Sequence, residues 1–176
     1  MNHCSNNKNI SYLEYIKKPF KRLPIYQFWY QIYYVEMNRK ISDLNHSKRI
    51  IYDDLEPYSI IYAAHFKDKV VATIRLIESE QMLNSKYNLM LQSVTKNNYI
   101  FLTKLMVSKN FRCLGLGCNL LVQAEKFANL RGKKTIILDC NDYMVPFFLK
   151  NGFCFTNITT VKSPHYGDVY LLKKEI

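Results

Sequence analysis

The residues best suited to chemistry fall in one stretch, Arg112-Cys113-Leu114-Gly115-Leu116-Gly117-Cys118. It follows a β-patterned run ending at Val107 and leads directly into an amphipathic helical run from Gly117 to about Asn129. The first N–H groups of a helix lack intrahelical partners and sit at the positive end of its dipole, so such a turn can bind phosphate oxygens. Glycines at 115 and 117 let the backbone approach a phosphate with no Cβ in the way. Two rival phosphate motifs do not fit. A dinucleotide fingerprint needs a third glycine where this chain has Leu120, and a P-loop needs Gly-Lys-Ser/Thr, which is absent. A bare Gly-x-Gly also occurs in ordinary strand-to-helix turns, so context must decide.

Candidates for acid–base work are Glu36, Asp53, Glu56, Asp139 and His65. Taken singly, each also reads as a cap, a surface charge or a turn former. Asp139 closes the strand pattern Lys134–Cys140 and is the one expected to face a cleft. Five cysteines (4, 113, 118, 140 and 154) make an odd count with no C-x-x-C, and the histidines at 3, 46, 65 and 165 are scattered. That pattern supports neither a disulfide framework nor a zinc site, and no metal is expected. Phe28, Trp29 and Tyr33 share one helical face, which can be plain core or the wall of an acyl pocket.

These residues need elements to position them. Residues 1–10 read as a ragged polar terminus, and 1–22 as a basic segment, either part of the same domain or partly disordered. One domain over 23–176 follows. The patterns predict a helix over 23–40, a hairpin of strands 58–66 and 70–77 turning at Lys67-Asp68-Lys69, and a long connection over 79–97. That connection is expected to hold a short helix around Gln81–Tyr87. Next come a strand over 99–107, the glycine turn and its helix, a strand over 134–140, a short helix over 145–150, and strands at 153–158 and 166–172. This is α/β, a mixed sheet flanked by helices.

No stretch approaches the roughly 20 apolar residues of a membrane span. Nor is there an apolar block with a cleavage site, so a soluble cytoplasmic protein is expected. The net charge of +11 points to a polyanionic partner such as CoA, an acidic carrier protein, RNA or an anionic membrane. The basic residues are spread out, so no DNA-binding arm is read from them.

The context of the glycine turn resembles the acyl-CoA pyrophosphate motif of the GNAT superfamily of N-acyltransferases. The matching residues are Phe101-Leu102-Thr103-Lys104-Leu105-Met106-Val107, then Arg112-x-x-Gly115-x-Gly117. Asn141 to Phe153, ending Phe147-Phe148-Leu149-Lys150-Asn151-Gly152-Phe153, resembles the family's second signature. The resemblance implies two parallel central strands, 99–107 and 134–140, that splay apart to admit the pantetheine arm. It implies that amides of Leu105, Met106 and Val107 meet that arm, with Met106 as the oxyanion donor. Amides from Cys113 through Leu114, Gly115, Leu116 and Gly117 to Cys118 would hold the pyrophosphate. Arg112, Lys109 or Lys104 would add charge, and Asn141 would complete the carrier site. The tyrosine that often protonates the leaving thiolate falls at Phe148, which has no proton to give; Tyr143 is nearby in sequence.

The N-terminal half is similar to the branch of acyl-homoserine-lactone synthases and N-acyl amino acid synthases. Tyr26–Met37 with Glu36, Asp53-Asp54-Leu55-Glu56-Pro57-Tyr58 and Val70–Leu76 carry that likeness, as does Ser163-Pro164-His165-Tyr166-Gly167-Asp168-Val169. Lactone synthases carry a glutamate where this chain has Phe101 and an arginine where it has Lys104, which argues against a lactone product. The implied activity is transfer of an acyl group, long-chain in preference to acetyl, from acyl-CoA or acyl carrier protein to a primary amine. The amine would belong to an amino acid, peptide or protein, with Glu36 and Asp139 as catalytic acids or bases. The alternatives are an acetyltransferase acting on a protein or RNA-linked amine, and a catalytically silent acyl-CoA-binding module.

Overall fold

The computed structural model describes residues 10–16, 21–39, 41, 43–83, 85, 87–92, 98–163 and 167–176. The predicted ragged terminus, most of the basic run Lys17–Arg22, and Pro164-His165-Tyr166 lie largely outside them. The first elements are β1 (Ile10–Ile16), α1 (Leu23–Tyr30), and the short strands β2 (Leu44–Asn45) and β3 (Ile50–Ile51). Then follow β4 (Ile60–Phe66), β5 (Lys69–Glu78), α2 (Asn88–Gln92), β6 (Tyr99–Val107) and α3 (Leu116–Leu130). The chain closes with β7 (Thr135–Cys140), α4 (Val145–Lys150), β8 (Cys154–Ser163) and β9 (Gly167–Glu175).

Among the described residues seven strands form one sheet in the order β1-β4-β5-β6-β7-β9-β8. Only the β6–β7 pair is parallel. The β4–β5 hairpin turns on Lys67 and Asp68, both at positive φ (47° and 63°), as a two-residue turn between right-twisted strands requires. One face of the sheet packs Ile74, Leu102 and Leu138 against Leu120, Ala124 and Phe127 of α3. On the other face, Ile25 and Trp29 of α1 cover Ile61 and Ala63, while Met82, Tyr87 and Leu91 cover Phe101 and Ile137.

Three expectations need correction. The helix predicted over 23–40 keeps α geometry only to Tyr30, and Gln31–Glu36 is π-helical. Its run Ile32-Tyr33-Tyr34-Val35 is β-branched and aromatic, a poor helix former, and the wider turn re-phases the residues that follow. The connection over 79–97 has a helical turn at Ser79–Gln81 and helix α2 at Asn88–Gln92, rather than one helix near 81–87. And β1, for which no strand was expected, pairs antiparallel with β4 from Ile10↔Phe66 to Ile16↔Ile60.

The feature that positions the site is a divergence between β6 and β7. They pair from Tyr99↔Thr135 to Leu102↔Leu138 and no further, although β6 runs on to Val107 and β7 to Cys140. Where they part, the β5–β6 register slips between Thr73 and Arg75, and Lys104 takes φ of 50°. A bulge of this kind bends its strand. It is held from below. Trp29 Nε1 donates to Thr73 Oγ1 at 3.0 Å, and Thr73 Oγ1 donates to the Lys104 carbonyl at 3.1 Å. Lys104 Nζ lies 3.1 Å from Asp53 Oδ2 and 4.9 Å from the centre of the Trp29 ring.

Asp53 also accepts from Arg75 at 2.5 and 3.0 Å, so one buried carboxylate serves two buried cations. Burial pushes the Asp53 carboxyl up, but Arg75 and then Lys104 outweigh it and hold it well below the usual carboxylate range. Asp53→Ala would remove the carboxylate that the two buried cations share, leaving Arg75 with only the more distant Glu56 Oε2 at 4.0 Å, and should cost about 3–5 kcal/mol of stability. Urea denaturation of the variant checks this, and a loss under 1 kcal/mol would contradict it.

Candidate active site

The gap between β6 and β7 opens into a cavity of about 1040 Å³ lined from both faces of the sheet. On the α3 side its walls are the glycine turn, Leu102, Cys140, Phe147 and Phe148. On the α1 side they are Ile32, Tyr33, Met37, Arg75, Tyr87 and Asp139.

At the α3 end, Gly115 is the N-cap residue with φ of 78°, and no side chain caps the helix. Its carbonyl accepts the first helical bond from Asn119 N–H at 3.0 Å. The amides of Leu116, Gly117 and Cys118 therefore start the helix with no capping partner. The two glycines are needed for different reasons. A Cβ on Gly115 would meet nothing within 4 Å, but its left-handed backbone is strained for other residues. A Cβ on Gly117 would come within 3.1 Å of the Phe147 ring. Cys113 holds φ of 64° without being glycine. Arg112 donates to the Val107 carbonyl at 3.1 Å and to Glu36 Oε2 at 3.2 Å.

Along β6, alternation determines which amides face the gap. Ser108 N–H donates to the Val71 carbonyl at 2.9 Å, so Met106 N–H, two residues earlier and paired with Thr73, points the same way, towards β5. Leu105 and Val107 N–H point towards the opening. The Met106 N–H, the amide expected to receive the oxyanion, is thus directed at β5, while the Leu105 N–H faces the gap.

At the far end, Asp139 Oδ2 is buried and has no hydrogen-bond partner among the described residues. Burial pushes this carboxyl up to about 6; its own backbone amide, the Ser163 hydroxyl and the charges of Lys104 and Arg75 pull it only part of the way back. Tyr87, beside it, is raised by burial and by the Asp139 charge. Cys140 also lines the cavity, but burial pushes its thiol up to about 12, which makes it a poor nucleophile near neutral pH.

The structure sorts the predicted residues. Glu36, Asp139, Leu105, Met106, Val107, Arg112, Cys113, Gly115, Leu116, Gly117, Cys118 and Asn141 all line the cavity; Leu114 does not and is exposed. Asp53 and Glu56 are engaged elsewhere. Glu56 is paired with Arg22 and accepts from Tyr26 at 2.6 Å and Ser59 at 2.9 Å. His65 lies outside the cavity. Lys104 faces Asp53 and so is not a phosphate ligand, unlike the exposed side of the turn at Lys109 and Arg112. Of the three aromatics, Phe28 and Trp29 are core, and Tyr33 reaches the cavity. Arg75 and Tyr87 were missed as site residues. A signal existed for Arg75: a charge inside the hydrophobic strand pattern Val70–Ile77 has to be buried and paired.

The family model for the acetyltransferase (GNAT) family matches residues 24–153. The chain belongs to the GNAT family. No curated protein matches the sequence significantly. Among solved structures, an acetyltransferase of GNAT family from Staphylococcus aureus Mu50 is similar at 20% identity and TM-score 0.61, covering 94% of this chain and 98% of that one. The CoA-dependent acyl-homoserine lactone synthase BjaI, with SAM and isopentyl-CoA, is similar at 15% identity and TM-score 0.69, covering 89% and 77%. FeeM, an N-acyl amino acid synthase from uncultured soil microbes, is similar at 11% identity and TM-score 0.68, covering 94% and 90%. At these identities the likeness is one of fold. As a GNAT member the chain is an acyl- or acetyltransferase by family. No helix among the described residues is long and apolar enough to cross a membrane.

Burial of the Asp139 carboxyl carries a stability cost. Its folded-state pKa lies above the unfolded value, so its contribution is favourable below pH 3.8 and becomes a penalty as pH rises through about 6. Asp139→Asn should therefore stabilise the fold at pH 7.5 by about 1–3 kcal/mol. The gain should shrink below pH 5, as thermal melts at the two pH values would show.

Proposed function

We propose that the chain is an N-acyltransferase that moves an acyl group longer than acetyl from acyl-CoA, or from an acyl carrier protein bearing the same pantetheine arm, to a primary amine. One observation carries the reading. A single cavity crosses the sheet through the β6–β7 gap, with unpaired helix amides at one end and the unpartnered carboxylate oxygen of Asp139 at the other. The turn amides from Cys113 to Cys118 would hold the carrier's phosphates. Val107 N–H would bind the pantetheine arm, and Asn141 would border it.

An acceptor amine arrives protonated, and only its free base attacks. Asp139 Oδ2 takes that proton, and the amine nitrogen adds to the thioester carbonyl. The Leu105 amide receives the oxyanion that forms. Collapse breaks the carbon–sulfur bond and releases the thiolate with its electron pair. The nitrogen still carries a second proton, which passes to the thiolate and leaves the neutral amide; Phe148, buried in the cavity wall, cannot relay it, while Tyr143, 59% exposed and also lining the cavity, can, as can water. Burial holds Cys140 as a thiol, so it is not the nucleophile of an acyl-enzyme, and the attack is drawn as direct. A longer acyl group is favoured by the apolar residues Ile32, Met37 and Val169 on the far side of the gap.

Thiol release measured with acetyl-, octanoyl- and palmitoyl-CoA across pools of amino acids, peptides and proteins tests the reading. Activity should rise with chain length, each buried methylene adding up to about 0.8 kcal/mol of binding. A flat series would return the chain to acetyl transfer, and binding without turnover would make it a silent module. The profile of kcat/KM should rise through about pH 6 as Asp139 loses its proton. Asp139→Asn should lower kcat by about 10²-fold or more; an unchanged acid limb in that variant would assign the base elsewhere.

A further inference from the structure

The cavity mouth is crossed by one ion pair. Arg112, beside the glycine turn, reaches Glu36 at 3.2 Å, and Glu36 closes the π-helical turn that follows α1. The two residues belong to opposite ends of the proposed reaction: Arg112 to the carrier's phosphates, Glu36 to the wall through which an acceptor would enter. The Arg112 side chain is 52% exposed and that of Glu36 22%, so the pair is solvated and weak. A second bond, from Arg112 Nε to the Val107 carbonyl, keeps the guanidinium at the mouth whether or not Glu36 is engaged.

A phosphate group bound at the start of α3 offers Arg112 more charge and more acceptor oxygens than one carboxylate does. It also repels that carboxylate. We propose that the Glu36–Arg112 pair is a latch that the carrier's phosphates open, freeing Glu36 to receive the acceptor's ammonium. The proposal rests on the acyltransferase reading above. Glu36 is here a positioning residue. It gathers the ammonium near the mouth, and Asp139, deeper in the cavity, takes the proton. The amide product is neutral and has no charge for Glu36 to hold, so the same residue that admits the substrate does not retain the product. Ile32 and Tyr33 of the same π-helical segment, and Met37 just after it, line the cavity together with Glu36.

The test is CoA binding by calorimetry, with hydrogen exchange of residues 31–39, on the unmutated chain, Glu36→Gln and Glu125→Gln. Glu125 pairs with Lys174 and does not line the cavity, so its variant controls for the loss of one negative charge. Removing the competitor for Arg112 should tighten CoA binding in Glu36→Gln by about two- to fivefold, the range set by a solvated ion pair, and Glu125→Gln should leave it unchanged. In the unmutated chain CoA should speed exchange in 31–39. In Glu36→Gln exchange there should already be fast and indifferent to CoA. Equal CoA affinity in all three proteins, or slower exchange in 31–39 on adding CoA, would overturn the latch while leaving the acyltransferase reading standing. Failure of the unmutated chain to bind CoA would overturn both.

Discussion

The geometry of this protein depends on a bend in one strand. If β6 were regular it would continue beside β7, its amides would be consumed by the sheet, and no passage would join the two faces. The bulge at Lys104 prevents this, and it places a non-glycine residue at φ of 50°. Such a conformation persists only when surrounding interactions over-determine it. Here they do: Asp53 holds the side chain, Trp29 lies under it, and Thr73 takes the carbonyl. A buried charge network is a poor way to gain stability, since well-packed apolar groups do as well. Its value here is that it specifies one shape for β6.

Two acids, one beneath the bulge and one in the cavity, lie in contrasting environments. Asp53 sits among more positive charge than it can neutralise and stays ionised. Asp139 is buried with one oxygen unpartnered, and its proton is held near the pH at which transfer is useful. These environments come from neighbouring strands of one sheet, with Arg75 and Lys104 influencing both carboxyls. The same cations that fix the bulge therefore also limit how far Asp139 can rise.

Much of this was legible in the residues, and the gaps have physical causes. The bounds of β6 and α4 follow from alternation and from the turns beside them, and the phosphate-type turn from the pairing of Gly115 and Gly117 with a helix start. Asp139 was legible as a cleft residue because it ends a strand. The strand β1 was not, because Ser11, Tyr12 and Glu14 make an edge strand read as polar terminus. The π turn could not be read, since apolar spacing over six residues does not separate 3.6 from a wider period. The roles of Asp53 and Glu56 depend on contacts 22 and 34 residues away, which no local pattern records. Nor does spacing reveal the side on which the Met106 amide lies, because the bulge resets the alternation.

The order of the elements along the chain has a bearing on its biogenesis. The strands β4, β5 and β6 are neighbours both in sequence and in the sheet, so they can associate with little loop-closure cost. α1 is made before these strands but is covered only after them: Trp29 bonds to Thr73, 44 residues on, and lies against Lys104, farther still. A chain emerging from the ribosome therefore carries the aromatic face of α1 uncovered until β6 has left the exit tunnel. That interval, with an aromatic face waiting for its cover, is when a chaperone would find this protein.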